Sequence, residues 1–287
     1  MRQMIRLALS DMDNTLLPFG QDRVDERTLK AISTLRSSGV RFGPATGRDE
    51  QELHRFFAGD DSCFETGIVS NGKKVKVDGE LVWARYLDRD ALQRLADAFA
   101  PVPGVFVVTY PAKTDLSNPA YVLGATPAQV APYERRFRFN GTIVSQVPDV
   151  DVIAATVACE EDEAMDWVRR EAERVAPELV VVPPVPNWFD VLPRGVNKGT
   201  SLRHLLDALG IGPDEVAFFG DAENDLQIMG EIPNSVAVAN ATREAAEAAR
   251  WHIGPCWDDA VADAMLDIAE VAGTDVAPRF MHDGDEA

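Results

Sequence analysis

The chain has 287 residues, 46% of them hydrophobic and 26% charged, which excludes wholesale disorder, a collagen-like repeat and a disulfide-stapled scaffold. Its 47 acidic residues against 28 basic ones leave a formal charge of −19, a field that repels nucleic acid and anionic membrane surfaces. Neither is expected as a partner, and a small phosphorylated substrate would need local cations. The apolar run at 179–185 is short and broken by Pro183 and Pro184, so no membrane-spanning helix is expected. The first ten residues lack the pattern of a secretory leader, which makes a cytoplasmic location the default expectation. Cys63, Cys159 and Cys256 lie far apart with no C-x-x-C spacing and read as reduced, buried residues.

Taken in order, residues 5–9 form a strand-length apolar run ending in Ser10-Asp11-Met12-Asp13. Asp25 caps a predicted helix with Leu29, Ile32 and Leu35 on one face and Gly39 just past its end. A second strand at 40–45 runs into Thr46-Gly47-Arg48 and a helical segment at 49–57. A third at 67–70 is closed by Asn71-Gly72, and 73–87 alternates around Asp78-Gly79 as a hairpin does.

The middle of the chain changes character, with predicted strands at 105–110, 121–125, 142–147 and 152–158 and helices at 89–99, 128–137 and 160–175. The alternating pattern then resumes. A helix at 198–209 carries Leu202, Leu205, Leu206 and Leu209, and strands at 216–220 and 236–239 end in Asp221 and Asn240. Helices follow at 243–250 and 258–269, and the tail past Gly273 reads as frayed. The expected organisation is therefore an α/β, Rossmann-like doubly wound parallel-sheet core at 1–82 and 188–275, with an α+β module inserted at 83–187 and a tail at 276–287.

In such a sheet ligands bind where the strands end. The strand ends here carry Asp11 and Asp13, Thr46, Asn71 and Asp221. Two acids one residue apart can reach a common point as the strand turns into its loop, and a third arriving from another strand makes an oxygen-rich cluster. Such a cluster is electrostatically costly without a hard cation, and Mg²⁺ is the natural choice. A carboxylate can also attack phosphorus if a second acid protonates the leaving oxygen.

Four ordered motifs carry a family likeness: Asp11-Met12-Asp13-Asn14-Thr15-Leu16, Thr46-Gly47-Arg48, Lys198-Gly199, and Gly220-Asp221-Ala222-Glu223-Asn224-Asp225 followed by Met229. In these the chain resembles the haloacid dehalogenase superfamily of phosphatases. The inserted module, Asn71-Gly72, Asp190-Val191-Leu192-Pro193 and Asn240-Ala241 are similar to its Cof-type, sucrose-phosphatase-like branch. The resemblance implies that Asp11 is the nucleophile and Asp13 the general acid and then base. It places phosphoryl oxygens on Thr46 and Lys198, and Mg²⁺ on the carboxylates of Asp11 and Asp221 and the backbone carbonyl of Asp13. Gly47, Arg48, Asn71, Asn224 and Asn240 join Thr46 and Lys198 as substrate-binding candidates, and Asp225 fixes the Lys198 ammonium. Asn14 stands where the branch has glycine, and asparagine is among the residues most tolerant of positive φ.

The implied activity is Mg²⁺-dependent hydrolysis of a small phosphorylated metabolite, a sugar phosphate first, through an aspartyl-phosphate, with the inserted module as a mobile cap. A phosphotransferase or phosphomutase would use the same aspartyl-phosphate, and a non-catalytic phospho-ligand sensor could share the fold. Arg135, Arg136 and Arg138 read as a solvated helix face, the four histidines carry no metal role, and the five tryptophans read as packing residues.

Overall fold

The structure, a computed structural model, describes residues 4–112, 120–137, 140–161, 164–185 and 187–282. The chain divides into two units, Met1–Ala84 with Asn197–Ala287, and Arg85–Val196. The first unit opens with β1 (Leu7–Ser10) and α1 (Glu26–Ser37), which begins where the Asp25 carboxylate accepts the Thr28 N–H at 2.7 Å. Then come β2 (Arg41–Pro44) and α2 (Glu50–Phe56). The strands β3 (Gly67–Val69), β4 (Lys74–Val77) and β5 (Glu80–Ala84) form a separate antiparallel sheet. Its β4–β5 turn places Asp78 and Gly79 at φ of 50° and 85°, the paired positive angles that an Asp-Gly hairpin supplies.

The second unit contains α3 (Arg89–Phe99), β6 (Val105–Pro111), β7 (Ala120–Leu123), α4 (Pro127–Phe137), β8 (Gly141–Ile143), β9 (Val152–Cys159), α5 (Met165–Val175), β10 (Leu179–Val185) and β11 (Trp188–Pro193). Its sheet runs β10-β11-β9-β6-β7-β8. Alternation along β6 sends Val105 and Val107 to the face shared with Leu92, Leu95, Phe99 and Val168, and Phe106 and Val108 to the face shared with Val130, Tyr133 and Trp188.

Several expectations shift here. The strand expected at 142–147 is limited to β8, and the helix expected from 160 starts at Met165. Residues 188–193, expected in the core, pair as β11 with β9 and β10, so the second unit extends to Val196. Pro183 and Pro184 are tolerated in β10 because it is an edge strand and its register breaks between Val182 and Val185. Arg138 and Pro186 lie outside the described residues.

The first unit continues with α6 (Lys198–Leu209), β12 (Val216–Gly220), α7 (Leu226–Glu231), β13 (Asn234–Val238), α8 (Arg243–Ala248), β14 (Trp251–Ile253) and α9 (Ala260–Val271). Its main sheet is parallel throughout, in the order β14-β13-β12-β1-β2. The chain moves from β1 to β2 on one side and later fills β12, β13 and β14 on the other, which makes the β1/β12 boundary the switch point. The short β14 carries no alternating signal of its own in the sequence. Residues 276–282 are not frayed: Met281 is buried, and Arg279 Nε and the Phe280 N–H both donate to the Asp267 carboxylate of α9. The three cysteines are buried and unlinked, and no described helix is long and apolar enough to cross a membrane.

Two cores clothe the faces of the parallel sheet. Ala8, Ala217, Phe219 and Val236 meet Ile32, Leu35 and Met265 on one side, while Leu7, Leu9, Phe218 and Ala237 meet Leu202, Leu205, Ile228 and Met229 on the other. Helices on both faces explain why β1 and β12 are buried at every position. Phe218, fully buried on a central strand, tests this packing. Phe218→Ala is expected to cost about 3–5 kcal/mol, read as a lower urea midpoint with an unchanged m-value. A loss under about 1 kcal/mol would contradict the central placement of β12.

Candidate active site

The loop after β1 is set by its backbone. The Asp11 N–H continues the ladder to the Phe219 carbonyl at 2.9 Å, while the Leu16 and Leu17 N–H groups turn back to the Met12 carbonyl at 2.9 and 3.1 Å. Met12 is fully buried and anchors the turn. Asn14 has φ of 59°, the left-handed conformation that its side chain tolerates and that a β-branched residue would resist. Neighbouring β12 ends at Gly220, where an added Cβ would stand 2.8 Å from the Asp225 carboxylate. Glycine is what lets Asp225 fold back beneath the strand end.

Around these ends the structure gathers four charged side chains. Lys198, the first residue of α6, is 2% exposed and donates from Nζ to Asp11 Oδ1 at 2.6 Å and to Asp225 Oδ1 at 2.8 Å. The other Asp225 oxygen accepts the N–H groups of Asp221 and Ala222 at 3.0 and 3.2 Å. Asp221 Oδ1 accepts the Thr15 hydroxyl at 2.9 Å. One carboxylate oxygen from each of Asp11, Asp221 and Asp225 lies within 4.8 Å of the others.

The electrostatics follow from burial. Loss of hydration raises Asp11 to about 7, with Lys198 pulling down and Asp225 and Asp221 pushing up. Burial likewise raises Asp221 to about 6, against the Thr15 hydrogen bond and with Asp225 adding to the rise. Burial works against the Lys198 ammonium, yet the Asp11 and Asp225 carboxylates hold its pKa above the ordinary lysine value. One ammonium thus faces three acids. Hard oxygen donors with excess negative charge suit a divalent cation such as Mg²⁺. Both Asp225 oxygens are engaged, while Asp11 and Asp221 each have one oxygen engaged, by Lys198 and by Thr15.

The Asp13 side chain stands apart from this group. Its carboxylate is gripped bidentately by Arg48, from Nε at 2.9 Å and Nη2 at 2.8 Å. Arg48 Nη1 reaches Glu52 at 2.7 Å, and the hydrogen bonds to Asp13 and Glu52 raise its pKa further despite partial burial. Thr46 is buried, and its hydroxyl accepts the Arg48 N–H at 3.1 Å. Asn71, at φ of 56°, donates its N–H to the Thr46 carbonyl at 3.0 Å, and a Cβ on Gly47 would meet Asn71 Oδ1 at 2.8 Å. Gly47 therefore serves close approach of two loops.

The remaining candidates separate. Asn224 lies exposed in the turn after β12. Asn240 donates to the Asn14 carbonyl at 2.7 Å and accepts the Cys256 N–H at 2.8 Å, so it ties three loops together. Sequence reading assigned no role to Thr15, although it lies within the first motif, or to Glu52. Glu52 had a legible signal: Asp49 and Glu52 form a D-x-x-E capping box at the start of α2.

The chain is 27% identical over 241 residues to an HMP-PP phosphatase of Enterobacter sp. (strain 638), covering 83% of this chain and 85% of that one. It is 25% identical over 253 residues to the 5-amino-6-(5-phospho-D-ribitylamino)uracil phosphatase YbjI of Escherichia coli (strain K12), covering 87% and 91%. Among solved structures it shares the fold of the HAD subclass IIB sugar phosphatase BT4131, with a TM-score of 0.67 at 21% identity over 91% of this chain and 97% of that one. Residues 8–265 match the model of the haloacid dehalogenase-like hydrolases, and the chain belongs to that family.

Proposed function

We propose that this hydrolase is a Mg²⁺-dependent phosphatase that cleaves a small phosphorylated metabolite, with sugar phosphates the first class to test, through an aspartyl-phosphate on Asp11. The observation that carries this reading is the buried Asp11 carboxylate, held 2.6 Å from the Lys198 ammonium beside Asp221. The relatives named for phosphatase activity support the reaction class.

In the first step an Asp11 oxygen attacks phosphorus, the bond to the ester oxygen breaks, and Asp13 supplies the proton that the departing alcohol needs. In the second, Asp13 takes a proton from water as that water attacks the aspartyl-phosphate, restoring the Asp11 carboxylate and releasing inorganic phosphate. Arg48 takes one lone pair on each Asp13 oxygen, which holds the carboxylate in place and leaves a second lone pair on each oxygen to carry the proton. Lys198 holds the nucleophile in place and sets positive charge beside the phosphoryl group. A divalent ion on Asp11, Asp221 and the Asp13 carbonyl would add the positive charge that the acidic cluster lacks.

A Mg²⁺-supplemented phosphate-release assay across sugar, nucleotide and vitamin phosphates tests the activity, and release rather than transfer separates hydrolysis from a phosphomutase. Asp11→Asn is expected to lower kcat by at least about 10³-fold with the fold intact. Turnover near the wild-type rate would remove Asp11 as nucleophile.

Ion binding should depend on pH. The raised values of about 7 for Asp11 and about 6 for Asp221 mean that protons occupy the ligand oxygens as pH falls through this range, and a cation must displace them. The increase in Tm given by a fixed MgCl₂ concentration should therefore be larger at about pH 8 than at about pH 5.5. An equal increase at both would contradict assignment of these carboxylates as ligands.

A further inference from the structure

We infer that Glu52 is a positioning residue for the reaction, acting through Arg48 to hold the Asp13 carboxylate at the strand end. The inference rests on the phosphatase reading above and deepens it.

The two edges of the Arg48 guanidinium are used differently. Nε and Nη2 present one fork to Asp13, and Nη1 is taken by Glu52 Oε1 at 2.7 Å. The Phe56 ring, its centroid 5.0 Å from Arg48 Cζ, borders the same guanidinium. A fork–fork pair fixes the plane of both partners, but only if the arginine itself is held, because a long side chain otherwise rotates freely. Glu52 supplies that hold from a rigid place. It is the third residue of α2, its Oε2 accepts the Asp49 N–H at 3.2 Å, and its own N–H donates to the Asp49 carboxylate at 2.9 Å.

Asp13 needs such a restraint. It lies on a loop with its side chain 29% exposed, and the negative charge of Asp221 acts against it. Unrestrained, it would turn toward solvent and away from the reacting oxygen. The other acid near the start of α2, Glu50, cannot substitute, since its oxygens face Lys74 and Lys76 at 3.2 and 2.8 Å. A small misplacement of an acid–base group costs rate rather than binding.

The test is steady-state kinetics with a phosphate ester that the wild-type chain hydrolyses, on Glu52→Ala, Arg48→Ala, the double variant and, as a control for lost stability, Asp25→Ala. Glu52→Ala should lower kcat about tenfold with KM within about twofold. Asp25→Ala, which removes the cap of α1 and leaves Asp49, Arg48 and Glu52 in place, should lower Tm and keep kcat near wild type. In the Arg48→Ala background the Glu52 substitution should add little, because both act on one group. A wild-type kcat for Glu52→Ala, an equal kcat loss for Asp25→Ala, or independent losses in the double variant would each overturn the inference while leaving the phosphatase reading intact. A wild-type chain that turns over no ester would remove the phosphatase reading and this inference with it.

Discussion

The Lys198 ammonium, buried between Asp11 and Asp225, is the interaction on which the rest of the site depends. Removing three charges from water costs more than their attraction returns unless every polar atom finds a partner, so such a cluster is poor evidence for stability and better evidence for function. The fold satisfies it with backbone. The N–H groups of Asp221 and Ala222 take one Asp225 oxygen, and the capping box of Asn197 and Thr200 starts α6 at the position where Lys198 can reach inward. Parallel pairing of β1 with β12 then brings Asp11 and Asp221 to neighbouring strand ends.

This arrangement explains how a chain of charge −19 could handle a phosphate ester. Lys198 and Arg48, the cations described at these strand ends, are already committed to Asp11 and Asp225 and to Asp13 and Glu52. With Asp221 the acids outnumber them. An anionic substrate would meet net negative charge, which is why the proposed function calls for a divalent ion at carboxyls that burial raises above their ordinary range.

Much of this was legible in the sequence because the local signals agreed with the global fold. The Asp25 cap, the Asp78-Gly79 turn and the leucines of α6 follow from periodicity and turn chemistry, and the apolar runs ending in Asp11 and Asp221 mark strand ends. What escaped was decided by tertiary contact. No spacing rule says that the Asp13 carboxylate turns to Arg48 rather than joining Asp11 and Asp221, or that Asn240 spends both ends of its amide on loops. The β10–β11 hairpin was hidden by two prolines that only an edge strand accepts, and the last turn by an ion pair from Arg279 to Asp267.

The most direct measurement is chemical trapping of the phosphoenzyme. Acid quench during turnover of a phosphate ester, followed by borohydride reduction and peptide mass spectrometry, should find the modified residue in the peptide that carries Asp11 and nowhere else. Modification at another residue, or none in an enzyme that is turning over, would contradict the account.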